Sequence, residues 1–79
     1  MDLKQYYDEW VKIEDVRGNI IKCYVFDYDS GDEEEEDSPY YNVPNITVEN
    51  VDVIKGNDYC RSSLIMFYEE DIKSIEIIK

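Results

Sequence analysis

The sequence has no histidine and no alanine, and only two cysteines, two prolines and three glycines. Without histidine it lacks the one side chain whose ordinary titration falls near neutral pH, and the commonest metal ligand with it. Cys23 and Cys60 are far apart and form no Cys-x-x-Cys pair, and only Arg61, beside Cys60, offers a neighbouring cation to hold a thiolate. Bases are scarce as well: eight Lys and Arg face twenty Asp and Glu, for a net charge of −12. A basic face for phosphates is therefore missing, so neither nucleic acid nor an anionic membrane surface is an expected partner. No apolar run approaches the length needed to span a bilayer. The N-terminal stretch Met1 to Trp10 has no signal-peptide core. These absences lead to the expectation of a cytoplasmic protein with reduced cysteines. In that setting the Asn45-Ile46-Thr47 match to a glycosylation site carries no meaning.

What is present is concentrated charge, β-branched residues and tyrosine. The chain, 1–79, is the length of one domain. A domain this small buries only about 60% of its unfolded surface, and its core supplies roughly 3–5 kcal/mol of net stability. Eight acids fall between Asp27 and Asp37 with no base among them, and removing those eight charges from −12 leaves −4 on the rest. The acidity is a local feature on a mildly acidic globule.

The hydrophobic pattern predicts one short helix and five strands. Leu3, Tyr6, Tyr7 and Trp10 stand at helical spacing, with Asp2 as the N-cap of a helix over 3–9. From Trp10 the period becomes two: Val11, Ile13 and Asp15 alternate with Lys12, Glu14 and Val16. Arg17-Gly18-Asn19 reads as a hairpin turn. The return strand puts Ile21, Cys23 and Val25 on one face and Ile20, Lys22, Tyr24, Phe26 and Tyr28 on the other. The acidic run ends that strand and opens a loop at about 29–44, because like charges repel and Gly31 and Pro39 punctuate its ends. Ile46, Val48, Val51 and Val53 mark a third strand whose parity slips, which predicts a bulge near Glu49-Asn50. Lys55-Gly56-Asn57-Asp58 is the next turn. A fourth strand runs from Tyr59 or Arg61 to Tyr68, Glu69-Glu70-Asp71 makes a 3₁₀ turn, and Ile72 to Ile78 is the last strand. The expected core is Val11, Ile13, Ile21, Cys23, Val25, Ile46, Val48, Leu64, Met66, Ile72, Ile75 and Ile77, with parity open to inversion by a bulge. A helix followed by five hairpin-linked strands describes an all-β, five-stranded small barrel.

This order, with Val11 and Ile13, then Gly18, then Ile21 and Val25, then Asp27-Tyr28-Asp29, and Ile72-Lys73-Ser74-Ile75 at the far end, resembles an Sm-like (LSm) barrel. An SH3-like barrel has nearly the same strand order. The Sm-like resemblance implies a ring in which the fourth strand of one subunit pairs with the fifth of the next, and uridine-binding loops after the second strand and before the fifth. Here those loops read Asp29 to Asp37 and Tyr68-Glu69-Glu70-Asp71. Both are acidic, so the resemblance extends to the fold and to none of the RNA-reading residues.

Each remaining motif has an ordinary reading beside a functional one. Cys23 shares a face with Ile21 and Val25 and reads as a buried, inert thiol. The acidic run does not fit a calcium loop: counted from Asp27, the turn glycine falls on Asp32 and the bidentate glutamate on Ser38. No cofactor or metal is expected, and the chain reads as a non-enzyme. Asp29, Asp32, Glu33, Glu34, Glu35, Glu36 and Asp37, with Tyr40 and Tyr41 beside them, are the candidate partner-binding residues. A run of like charge is ordinarily a solvated loop, but its field also steers association with a basic surface. The expectation is a protein-interaction module that uses the acidic loop, the Tyr-rich flank or a strand edge, and a homo-oligomer through that edge stays open. The alternatives are an Sm-like RNA-binding ring and an acidic mimic of nucleic acid.

Overall fold

In the computed structural model, which describes residues 2–31, 43–60 and 63–78, five antiparallel strands form one curled sheet, a half-barrel. The strands are β1 (Trp10–Asp15), β2 (Ile20–Asp29), β3 (Asn45–Lys55), β4 (Ile65–Tyr68) and β5 (Ile72–Ile77). Their order across the sheet is β4-β3-β2-β1-β5. Successive strands pair as neighbours until the 3₁₀ turn Glu69–Asp71, which carries the chain over to the far side of β1. The Val16 N–H donates to the Asp71 carbonyl at 3.1 Å and ties the end of β1 to that turn.

The core lies inside the curl. Val11 and Ile13 from β1 and Ile21, Cys23 and Val25 from β2 are buried in the predicted phase. The predicted bulge is present. Tyr24 pairs with Glu49 and Lys22 with Asp52, so Asn50 and Val51 together face Cys23. Asn50 takes a φ of 55° to make this possible. The extra residue resets the alternation, and Val48 and Val51 both point inward.

Three expectations are corrected. The N-terminal segment is a 3₁₀ turn, Leu3–Tyr6, and not a helix over 3–9. Asp2 does cap it, accepting from the Lys4 N–H at 3.1 Å. It stops early because Asp8 adopts a φ of 61° and donates its N–H to the Val25 carbonyl, which starts sheet pairing ahead of β1. Leu3 alone of that turn is buried. The fourth strand begins at Ile65, not at Tyr59 or Arg61, and its parity is inverted. Pairing of Ile46 with Phe67 turns Phe67 inward, while Met66 opposite Thr47 points out. Leu64 and Met66 are thus 65% and 53% exposed, and Phe67 takes their place in the core. On β5, Ile72 is buried and Ile75 packs on the core, but Ile77 is 42% exposed, because β5 is an edge strand with no neighbour beyond it among the described residues.

Several tyrosines cover the core with the ring and keep the hydroxyl polar, as their amphipathic character requires. Tyr6, Tyr28 and Tyr59 pack against it, and the Tyr6 hydroxyl donates to the Ile75 carbonyl at 3.5 Å.

Candidate functional site

Of the acidic and Tyr-rich candidates, Asp29 lies among the described residues. Asp32, Glu33, Glu34, Glu35, Glu36, Asp37, Tyr40 and Tyr41 lie outside them. Asp29 ends β2, and its carboxylate accepts the Gly31 N–H at 2.9 Å, a local turn that leads the chain out of the sheet. Asp27, two residues earlier, bonds in the same local way to the Tyr28 N–H. These carboxylates shape the start of the loop. Among the described residues no group of three or more His, Cys, Asp or Glu converges as metal ligands.

The features that stand out are a strand edge and the polar cluster beside it. Among the described residues β4 pairs with β3 on one side only. About half of the peptide groups of a strand bond to each neighbour; on the outer side of this four-residue strand the Tyr68 N–H already donates to the Asp71 carboxylate at 3.1 Å, and the exposed side chains of Leu64 and Met66 flank the rest. Next to it is a cavity of about 250 Å³ whose lining includes Asp15, Val16, Arg17, Tyr59, Met66, Phe67 and Asp71. Ligand sites for small molecules begin at roughly 300 Å³. This one is the size for a single side chain.

Asp15 builds the wall of that cavity. It continues the inward phase of Val11 and Ile13, and it is 2% exposed. A buried carboxylate is costly unless hydrogen bonds replace its water. One oxygen accepts the Arg17 and Asn19 N–H groups, each at 2.9 Å, and so shapes the β1–β2 turn around Gly18. The other accepts the Asn19 side-chain amide at 3.0 Å and the Tyr59 hydroxyl. Burial alone would push this carboxyl up, but the hydrogen bonds from Tyr59, Asn19 and Arg17 more than offset it and hold it below its ordinary value. Tyr59 is pushed up, by its burial and by the same bond to Asp15.

The cluster extends outward from there. The Asn19 amide also donates to Asp58 at 2.7 Å. The Arg17 guanidinium donates to the Tyr59 hydroxyl at 3.1 Å, lies 5.6 Å from the centre of its ring and reaches Asp58 at 3.6 Å. Tyr59 in turn meets Phe67 edge-on, with ring centres 5.8 Å apart. Asp58 and Tyr59, after β3, are thus held on the β1–β2 turn, and Tyr59 supports the inverted phase of β4 through Phe67. Gly56 leaves room for it: a Cβ there would fall 1.8 Å from the Asn19 amide oxygen.

Sequence reasoning put Asp15 on the inward face but gave it no partner, because Tyr59 comes from another turn. A strand edge was expected as one of the partner-binding features, but without exposed side chains beside it, since Leu64 and Met66 were assigned to the core. Cys23 is fully buried and its thiol is pushed up to about 12 by desolvation, as its place in the pattern suggested. No helix among the described residues is long and apolar enough to cross a membrane. No family model, curated protein or solved structure matches the chain.

Proposed function

We propose that this protein is a non-catalytic interaction module that docks an extended segment of another polypeptide on the outer edge of β4. The observation that carries the reading is the combination at that edge: Met66 exposed on β4 and Leu64 exposed just before it, on a strand with no second neighbour among the described residues, next to a cavity sized for one side chain. An added strand gains main-chain hydrogen bonds from the edge and selectivity from the pocket. Natural proteins protect such an edge with charge, proline or a very short strand; β4, Ile65–Tyr68, carries no charge or proline and is four residues long, so the docked segment gains its contacts from the flanking side chains and the cavity as much as from the backbone. The acidic run contributes long-range attraction toward a basic partner.

The test is a comparison of wild type with Met66→Lys and Leu64→Lys in capturing partners from the cell of origin. Both side chains are more than half exposed, so both variants are expected to fold and to lose the same defined partner. Retention of every partner by both variants would end the proposal.

A second reading has a specific observation behind it. The strand order leaves β4 and β5 as the two edges, the pair that an Sm-like ring joins between subunits. In that case the segment docked on β4 is β5 of another copy. Light scattering on the eluting protein would then give about five to seven times the 9.4 kDa chain mass, and a monomer would exclude the ring. Tight, salt-sensitive binding of a uridine-rich strand is not expected from either reading, given the net charge of −12.

A further inference from the structure

The face of the sheet opposite the core carries a second feature that the edge does not explain. Trp10 on β1 and Tyr24 on β2 are register partners, and their rings meet at 5.6 Å between centres, tilted by 50°. Trp10 is 47% exposed and neighbouring Tyr7 is 54% exposed. Two carboxylates, Asp8 and Glu49, stand beside Tyr24. Glu49 on β3 is the next residue across the ladder from Tyr24. Asp8 accepts the Tyr24 hydroxyl, and its φ of 61° is a conformation that non-glycine residues adopt at a cost of about 1 kcal/mol. The Tyr24 phenol is pushed up to about 12, first by the bond to Asp8 and then by burial and the charges of Asp8, Tyr7 and Glu49, so these groups share one electrostatic environment. Two bases share this face: Lys12 on β1 is paired with Glu76 at 2.9 Å, and Lys22, across from it on β2, lies opposite Asp52 of β3.

Exposed aromatic rings with carboxylates beside them are suited to a cation with a flat, weakly hydrated face. A guanidinium stacks on an indole or phenol and at the same time donates to carboxylates, which an ammonium does less well. Trp and Tyr are also the residues that most often anchor protein interfaces. We propose that the Trp10–Tyr24 face docks an arginine-bearing segment of a partner protein, with a guanidinium stacked on Trp10 and bonded to Asp8 or Glu49. The −12 charge draws such a segment in, and the aromatic pair decides where it stays. This face is separate from the β4 edge, which lies across β3 from it.

Trp10 is the protein's single tryptophan, so its emission reports the face directly. The probe is a ten-residue peptide of alternating arginine and glycine, with a lysine–glycine peptide of equal length as control, at about 0.15 M salt, where exposed charges are screened beyond roughly 8 Å. The arginine peptide is expected to shift Trp10 emission saturably, and the lysine peptide to bind about threefold to tenfold more weakly. Peptide anisotropy extends the test to variants without the reporter. Trp10→Leu, with folding checked by circular dichroism, is expected to weaken the arginine peptide about threefold to tenfold. Glu49→Gln, which keeps Trp10, is expected to weaken it less, while replacement of Asp32 to Asp37 by Ser and Gly leaves the emission shift in place. Equal binding of the two peptides, or binding lost with the acidic run and indifferent to Trp10 and Glu49, would overturn the proposal.

Discussion

Replacing Asp15 by alanine strips four hydrogen bonds from the β1–β2 turn at once: those from the Arg17 N–H, the Asn19 N–H, the Asn19 side-chain amide and the Tyr59 hydroxyl. Two of these donors belong to Asn19, which is 4% exposed and cannot turn to water. Each buried donor left without a partner costs about 1–3 kcal/mol. The Arg17 N–H and the Tyr59 hydroxyl reach solvent more easily and add less. The expected loss is about 3–4 kcal/mol, most of the roughly 3–5 kcal/mol that a domain of this size commands. Asp15→Asn is milder. Its carbonyl oxygen still accepts the two backbone N–H groups, and the Tyr59 hydroxyl can reverse to accept from its amide, so the remaining fault is one donor facing the Asn19 amide. That variant should lose about 1–2 kcal/mol. Urea unfolding followed by Trp10 emission at 25 °C measures both. The pH dependence separates charge from shape. Because the folded carboxyl sits below its ordinary 3.8, its stabilisation is complete above that value and is lost as pH falls through the lower folded one. The gap between wild type and Asp15→Asn should therefore stay constant near neutrality and close below about pH 4. An Asp15→Ala protein within about 0.5 kcal/mol of wild type would refute the claim that this carboxylate organises the turn.

Other changes test neighbouring parts of the account. Gly56→Ala should cost about 2 kcal/mol or more in the same urea assay, because φ there is +100° and the new Cβ strikes Asn19, which Asp15 and Asp58 hold in place. Asn50→Val should cost about 1–2 kcal/mol, since a β-branched residue resists the φ of 55° that makes the β3 bulge, whereas Asn50→Gly should be nearly neutral. A thiol reagent added to the folded protein should modify one of the two cysteines quickly, the exposed Cys60, and reach the fully buried Cys23 only on unfolding. Two fast thiols would mean that the β2 face is not packed as described.

The all-β character and most of the strand plan were legible because alternation in β1 and β2 is clean and Gly18 marks the turn between them. The β3 bulge was legible too, since Val48 and Val51 cannot both face inward without an extra residue. The phase of β4 was not. Leu64, Ile65, Met66 and Phe67 are four apolar residues in succession, and alternation cannot choose between their faces. The choice is made by pairing with β3 and by the edge contact of Tyr59 with Phe67. Nor could spacing separate a helix from a 3₁₀ turn running into a strand, because Leu3, Tyr6, Tyr7 and Trp10 satisfy both. The positive φ of Asp8 decides it. Asp15 was legible as an inward residue and illegible as a hub, since its Tyr59 partner is 44 residues away. A strand edge was legible as a place to bind, but the exposed Leu64 and Met66 beside it became visible only with the inverted strand, while the acidic run, so prominent in the sequence, lies outside the described residues beyond Asp29.

The most direct test of the proposed function is a photo-crosslinking amino acid placed at position 66 on the outer side of β4, in the cell of origin, with the same group at exposed position 54 of β3 as control. Docking on the β4 edge predicts a discrete adduct from position 66 that is absent from position 54, whether its mass corresponds to another protein or to a second copy of this chain. No adduct from position 66 beyond the control would contradict the claim that this edge is where the protein meets its partner.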